Sequence, residues 1–330
     1  MPIIISSDKT QVTLFRNKSA YPVYITIGNL PKDIRSKPSQ GGQILLGYLP
    51  TAKFEHIKNK AARRRTLANV FHACMRKILE PLQKPGLEGL VMMSGDGVAR
   101  CVHPIYAAYV SDYPEQVLVT CIKSGECPVC TQPRSCLGDL GDPYPLRDIE
   151  KVLDVLGTVH TATNAEYTSA CNDAGIKPIY QPFWEHLPFS NVFLTITPDI
   201  LHQLLQGVVK HLVAWVKEAY SEDEIDARCR RFPANHNVRL FFKGITKLSR
   251  LTGREHTDIC RILLGLVVGM HLPDGLSSNR LVRAVRAILD FVYLAQYPVH
   301  STATLDALDD ALHRFHENKS IFVDLGIRSN

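Results

Sequence analysis

The sequence lacks any apolar run long enough to cross a membrane as a helix. Its longest runs, such as Ile262–Met270, reach about half of the roughly 20 residues that a membrane span needs. The first residues, MPIIISSDK, have no basic region followed by a long apolar segment, so they do not resemble a secretory signal. Internal repeats and low-complexity segments are also absent. We therefore expect a folded protein without a membrane partner.

Cysteine is present, but not in the pattern of a disulfide scaffold. The nine cysteines are an odd number, and they are spread over the whole chain. In a chain without a recognisable secretory signal, this distribution favours reduced thiols and leaves metal binding open.

Positive charge is modest in total but concentrated in places. The formal net charge is +6, which is weak evidence for a nucleic-acid partner. The segment Lys58–Arg65 holds five cations in eight residues, and two further groups comprise Arg228, Arg230 and Arg231, and Arg280, Arg283 and Arg286. Each group alone is most simply a solvated helix face. Together they favour a phosphate-backbone partner, with predicted DNA contacts at Arg63, Arg64, Arg65, Arg230 and Arg231.

The first 112 residues carry a β-β-β-α-β pattern. Three β-rich stretches lie within residues 2–49, which predicts an antiparallel meander, and the first of them runs to Phe15. Apolar residues then recur at three- and four-residue steps from Leu67 to Leu79, which predicts a long helix within 53–82. A hairpin around Ser94–Gly97 leads into a last apolar strand that ends near Asp112.

Helical patterns dominate the remainder of the chain. After a proline-rich stretch they predict helices over 146–159, 198–218 and 222–231. A strong helix begins at Thr252, and two more span 277–294 and 301–318.

Three acidic residues fall where a two-metal nuclease needs them. Asp8 follows or lies in the first strand, Asp112 follows the last strand of the β-β-β-α-β pattern, and Glu255 lies on a later helix. Mg²⁺ and Mn²⁺ prefer carboxylate oxygens, and two such ions grip a scissile phosphate. This order is the plan of an RNase H-like nuclease or transposase core.

Each acid also has a simpler interpretation. Asp8 and Asp112 suit ordinary turns, and Thr252-x-x-Glu255 is a capping box. Asp96 is a rival to Asp112, but Asp96-Gly97 is a strong turn signal. The combination of the three acids favours catalysis.

Long ordered stretches of the chain resemble the catalytic core of Plavaka transposases, DNA transposons of basidiomycete fungi related to the CACTA group. The stretches that carry the resemblance are SDKTQVTLFRNKSAYPVYITIGNLPKDIRSKPS (7–39), LLGYLPTAKF (45–54), HPIYAAYVSDYPEQVLVTCIKSGECPVC (103–130), ITPDILHQLLQGVVKHLVAW (196–215), RLTGREH (250–256) and FVYLAQYPVHS (291–301).

The resemblance implies an α/β protein with an RNase H-like core, interrupted by a mostly helical insertion and followed by a helical C-terminal part. The expected divisions are residues 1–126, 127–244 and 245–330. The family's acids fall on Asp8, Asp112 and Glu255, which implies a DDE/D transposase that uses Mg²⁺ or Mn²⁺. The resemblance also implies that the protein acts on DNA in the nucleus, and it allows a homo-oligomer.

A zinc site is the second implied metal centre. Cys127-Pro-Val-Cys130 has the turn chemistry of a zinc knuckle, and the lack of a second CxxC leaves histidines as the other ligands. His202 and His211 are the predicted ligands, with His236 as an alternative. Two buried thiols and hydrogen-bonded histidines are the simpler interpretation.

Plavaka-like proteins are longer than this chain. The alternative to an active transposase is therefore a truncated or domesticated transposon remnant that binds DNA without cutting it. A host nuclease on the same fold is a third, weaker hypothesis.

Overall fold

The structure, a computed structural model, describes residues 1–13 and 18–328. It divides into two compact units, Met1–Pro198 (unit 1) and Asp199–Asn330 (unit 2). This boundary lies inside the segment 127–244 that was predicted as an insertion. Within the described ranges, no helix is both long enough and apolar enough to cross a membrane.

Unit 1 contains a mixed four-stranded sheet. The strands of the unit are β1 (Pro2–Ser7), β2 (Thr10–Thr13), β3 (Lys18–Ala20), β4 (Pro22–Ile27), β5 (Ile44–Tyr48), β6 (Leu90–Met93), β7 (Ala99–Val102) and β8 (Ile105–Val110). The sheet order is β5-β4-β1-β8, with β1 antiparallel to β4 and parallel to β8. β2 pairs with β3, and β6 pairs with β7, outside this sheet.

The predicted meander is present as β1, β4 and β5. The β-rich run that was predicted to reach Phe15 is divided, since β1 ends at Ser7 and β2 begins at Thr10. Leu14 and Phe15, the end of that predicted run, lie outside the described residues.

The helices of unit 1 connect and cover the sheet. They are α1 (Lys32–Arg35), α2 (Lys60–Leu79), α3 (Gln83–Glu88), α4 (Tyr113–Val119), α5 (Ile149–Gly157), α6 (Asn164–Asp173) and α7 (Val192–Thr195), with 3₁₀ turns at Pro38–Gln40, Glu80–Leu82, Arg134–Cys136 and Thr158–His160. The long predicted helix is α2, which begins where the Asn59 side chain accepts hydrogen bonds from two backbone amides at 2.9 and 3.0 Å. Its buried Phe71 and Met75 share one apolar core with Ile3 and Ile5 of β1.

One extra residue in β8 sets which side chains of that strand face the core. The register between β1 and β8 shifts after the pair Ile3–Tyr106, because Ile4 is paired with Ala108 and Ala107 is left over. Tyr106 and Tyr109, three residues apart, are therefore both buried.

Unit 2 is helical. It starts with a π-helical segment, Ile200–Val209, and continues through α8 (Lys210–Tyr220), α9 (Glu222–Arg231), α10 (Gly253–Val267), α11 (Ser278–Leu294), α12 (Thr302–Asn318) and α13 (Ile321–Asp324), with a 3₁₀ turn at Pro273–Gly275. The prediction of a helix over 222–231 is confirmed to the residue, and those over 277–294 and 301–318 are confirmed within one residue. These helices enclose a second apolar core.

Polar side chains of α9 fix the loops around this core. The buried Asp226 carboxylate accepts hydrogen bonds from the amides of Ile245 and Thr246 at 2.8 and 3.1 Å and from the Thr246 hydroxyl at 2.6 Å. Arg228 donates to carbonyl oxygens at the C-terminal end of α10, including that of Val268 at 2.7 Å. Arg228 therefore has a structural role.

Candidate active site

Asp8 and Asp112 follow the C-terminal ends of two neighbouring parallel strands. The last register pair of β1 and β8 is Ser6–Val110, and each aspartate lies two residues beyond its member of that pair. Adjacent strands are about 4.8 Å apart, so parallel strands bring their ends to one edge of the sheet. The two acids therefore follow neighbouring strand ends, the arrangement that the strand pattern predicted.

The two aspartates differ in their surroundings. Asp8 is exposed, and its Oδ2 accepts a hydrogen bond from the Thr10 hydroxyl at 3.0 Å. Asp112 is half-buried and caps α4, because its Oδ1 accepts the backbone amide of Glu115 at 3.0 Å. The turn chemistry that offered a simpler interpretation of Asp112 is thus present as a helix cap.

Glu115 is a third acid at this edge, and the sequence analysis missed it. Its residue surface is 9% exposed. One carboxylate oxygen accepts the Ser7 hydroxyl, and the other accepts the Tyr21 hydroxyl at 2.5 Å. The Ser7 hydroxyl in turn lies 2.5 Å from that of Tyr109. Residues next to or within β1, β4 and β8 therefore meet at one carboxylate on α4.

Burial controls the protonation of this group. Desolvation raises the pKa of Glu115 from its ordinary value of 4.5 to about 7, although the hydrogen bonds from Ser7 and Tyr21 act in the opposite direction. The negative charges of Asp112 and Asp8 add to the increase. Burial, followed by the charge of Glu115, raises the pKa of both Tyr21 and Tyr109.

The sequence around Glu115 shows a helix start but not the burial of the side chain. Asp112, with Pro114 at the second position after it, is a helix start, and Glu115 is the third helical residue. The helix continues with Val117 and Val119, which are both buried, so it is covered on most sides. A carboxylate in the first turn of such a helix is expected to need buried partners.

Glu255 belongs to unit 2, where it forms the capping box that its sequence context indicates. Its Oε2 accepts the Thr252 amide at 2.8 Å and the Thr252 hydroxyl at 3.0 Å. Its Oε1 forms an ion pair with Arg239, whose guanidinium also lies 5.4 Å from the centre of the Phe241 ring. Both carboxylate oxygens of Glu255 are therefore occupied within its own unit.

A cavity of about 420 Å³ adjoins this ion pair. The residues that line it are His236, Val238, Arg239, Thr252, Arg254, Glu255 and Asp258. His236, the alternative zinc ligand, is thus part of a mixed-charge cavity at the start of α10.

The CxxC segment forms a compact turn in unit 1. The Cys127 sulfur accepts the amides of Val129 and Cys130 at 3.5 and 3.4 Å. Cys130 forms a β-bridge with Leu146, and Arg147 donates to the Cys127 carbonyl at 2.8 Å. Zinc sites of the knuckle type take two cysteine sulfurs from a CxxC turn of this kind. The turn therefore suits half of a zinc site.

The predicted histidine ligands lie in unit 2. The Nδ1 of His202 lies 2.6 Å from the Oδ2 of Asp199, and the two atoms form a hydrogen bond. The ring nitrogen with which His202 would bind a metal is therefore Nε2. The ring of His211 stacks at 6.3 Å on Trp215. Over residues 1–13 and 18–328, no group of three or more His, Cys, Asp or Glu side chains is arranged to hold a metal ion.

The predicted DNA contacts are on two helices. On α2, Arg64 and Arg65 are exposed and Arg63 is half-buried, while Arg65 donates to the Thr168 hydroxyl at 3.3 Å. On α9, Arg230 and Arg231 are exposed, and Arg231 lies 3.3 Å from Glu224.

Fold and site together define a mixed α/β protein with paired carboxylates at one sheet edge. A family model described as Plavaka transposase matches residues 1–216, which is more than half of the chain. The chain therefore belongs to the Plavaka transposase family, as the resemblance indicated. A search of curated proteins found no match.

Proposed function

We propose that this chain is the catalytic core of a DNA transposase that cuts and rejoins DNA strands with divalent metal ions. The observation that carries the proposal is the position of Asp8 and Asp112, each two residues beyond the last register pair of adjacent parallel strands. Membership of a transposase family supports the same conclusion.

The topology of unit 1 supports an RNase H-like core. Three antiparallel strands, β1, β4 and β5, precede a helix, α2, that leads to β8 beside β1. An isolated parallel bridge also joins Tyr109 of β8 to Ile196. This strand order, with Asp8 and Asp112 just beyond the ends of β1 and β8, supports the proposal of an RNase H-like core.

The donor set at the sheet edge fits a hard divalent cation. Asp8 and Asp112 supply carboxylate oxygens, and Asp112 is held by the α4 amide that it caps. Mg²⁺ or Mn²⁺, when bound, would activate the attacking water or 3′-hydroxyl and stabilise the leaving oxygen. Glu255 remains a third ligand predicted from the resemblance.

A structural Zn²⁺ is proposed at Cys127 and Cys130, where two amides already point at one sulfur. His202 and His211 remain the predicted partners of these cysteines. The proposed substrate also implies a nuclear location, and a homo-oligomer is part of the same proposal.

The exposed arginines support binding to the phosphate backbone. If Arg64 and Arg65 each contact one phosphate, replacing both with alanine is expected to reduce the slope of log affinity against log salt by about 2. Fluorescence anisotropy with a labelled duplex between 50 and 200 mM NaCl measures this slope. An unchanged slope would remove these two residues from the interface.

A second function, DNA binding without cleavage, is favoured by one observation. Both carboxylate oxygens of Glu255 are engaged, with Thr252 and with Arg239. In this case the chain retains affinity for duplex DNA, but adding metal produces no cut.

A nicking assay separates the two functions. The purified chain is incubated with duplex DNA and MnCl₂, beside Asp8→Asn, Asp112→Asn and the control Asp33→Asn, which changes an exposed aspartate of α1. Catalysis predicts cleavage by the wild type and the control but not by the other two variants. DNA binding without any cleavage that depends on Asp112 would support the second function.

A further inference from the structure

Glu115 is placed to connect the two aspartates at the sheet edge. Its side chain accepts the hydroxyl of Ser7, which is the last residue of β1 and the neighbour of Asp8. Its backbone amide donates to the carboxylate of Asp112. A single residue therefore contacts the strand end that precedes one aspartate and the side chain of the other.

The partners of Glu115 argue against its being a metal ligand itself. Each of its carboxylate oxygens accepts a hydroxyl, from Ser7 and from Tyr21, and the residue is 91% buried. A hydrogen-bonded oxygen keeps a second lone pair, so burial is the stronger reason: a metal ligand must face an open coordination position, and the Glu115 residue is almost closed off from solvent. Here the oxygens are directed into hydrogen bonds that join β1 and the start of β4 to α4.

We propose that Glu115 is a positioning residue for the divalent-metal site, holding Asp8 and Asp112 in register through Ser7 and through the α4 amide. This inference rests on the proposed function, since it assumes that the two aspartates bind metal. Residues that orient metal ligands from outside the first shell commonly change metal affinity by 10- to 100-fold when they are replaced.

Two of its partners provide a matched comparison. Ser7→Ala and Tyr21→Phe each remove one hydroxyl that donates to Glu115, but only Ser7 adjoins an aspartate of the site. A merely structural network predicts that both variants affect metal binding equally. A positioning role predicts a larger loss of metal affinity for Ser7→Ala, even where the two variants unfold at the same urea concentration.

The test is Mn²⁺ binding to the full chain, measured by electron paramagnetic resonance of the free ion. We expect the wild type to bind Mn²⁺ and the variants Asp8→Asn and Asp112→Asn to lose this binding. The control Glu88→Gln, which changes an exposed glutamate of α3, should bind Mn²⁺ as the wild type does. Ser7→Ala and Glu115→Ala are expected to raise the dissociation constant by about 10-fold or more, and Glu115→Gln by less, because the amide keeps one acceptor.

The outcomes separate the inference from the proposed function. If the wild type binds Mn²⁺ through the aspartates while Ser7→Ala binds as Tyr21→Phe does, the positioning role is overturned and the metal site remains. If no Mn²⁺ binding depends on Asp8 and Asp112, both proposals are overturned. Should Glu115→Ala fail to fold, Ser7→Ala and Glu115→Gln still decide the question.

Discussion

Replacing Glu115 with glutamine should change how the stability of unit 1 depends on pH. The carboxyl has a pKa of about 7 in the folded protein against an ordinary value of 4.5. A group whose pKa is raised by folding stabilises the folded state below its unfolded pKa, and this stabilisation is lost as the pH rises through the folded pKa. The glutamine side chain is neutral at every pH and undergoes no such loss.

The magnitude follows from the two pKa values. Between pH 4.5 and about 8, the wild type is expected to lose about 3 kcal/mol of unfolding free energy relative to Glu115→Gln. Other titrating groups contribute equally to both proteins and cancel in the difference. The sign of this pH dependence is the informative result. A side chain whose ionised form is stabilised by folding would make the unfolding free energy rise with pH instead.

Urea unfolding in EDTA measures this difference, with one tryptophan reporting on each unit. Trp184 is buried in the core of unit 1, and Trp215 lies in unit 2. In a Trp215→Phe background the remaining fluorescence therefore reports on unit 1. Glu88→Gln serves as the control and should parallel the wild type. A difference between wild type and Glu115→Gln that stays constant from pH 4.5 to 8 would refute the reasoning.

Three further predictions concern the other sites. Asp226→Ala leaves two amides and a hydroxyl without their acceptor, so unit 2 should lose about 2–4 kcal/mol, measured by urea unfolding; a loss below about 1 kcal/mol would contradict this. Arg239→Ala removes the cation that competes with a metal ion for the carboxylate of Glu255. The Mn²⁺ concentration that gives half-maximal cleavage should therefore fall by up to about fivefold, and an unchanged concentration counts against Glu255 as a metal ligand. Mass spectrometry of the wild type should find about one zinc ion per chain, and Cys127→Ser should lose this ion whereas Cys101→Ser should retain it. Zinc that remains bound to the Cys127→Ser variant would show that the ion binds elsewhere.

Helices were predictable where the chain marks its own ends. For Glu222–Arg231 the three acids of the first turn and the three arginines of the last turn complement the helix dipole, and Ser221 caps the start. The helix at Thr252 carries its capping box in the sequence. The π-helical geometry of Ile200–Val209 has no comparable signal, because an apolar face at helical spacing suits both helix types.

The candidate site was predictable in part. The β-β-β-α-β order brings Asp8 and Asp112 to neighbouring strand ends, since it makes the first and last strands parallel neighbours. Glu115 was missed because its role depends on long-range contacts with Ser7 and Tyr21, about a hundred residues away in the chain, and no local pattern encodes those distances. A helix as short as α4 also offers too few residues for periodicity to show its buried face.

The leftover Ala107 lets two tyrosines that are three residues apart share one face of β8. In a regular strand such a pair would point to opposite faces, because side chains alternate. Ala107 is exposed and has no pairing partner on β1, while Tyr106 and Tyr109 are paired with Ile3 and Ile5. Deleting Ala107 would therefore leave a regular strand with the same pairs, and Tyr109 would still face the core. The inward position of Tyr109 is thus fixed by its pairing with β1 and not by its distance along the chain from Tyr106.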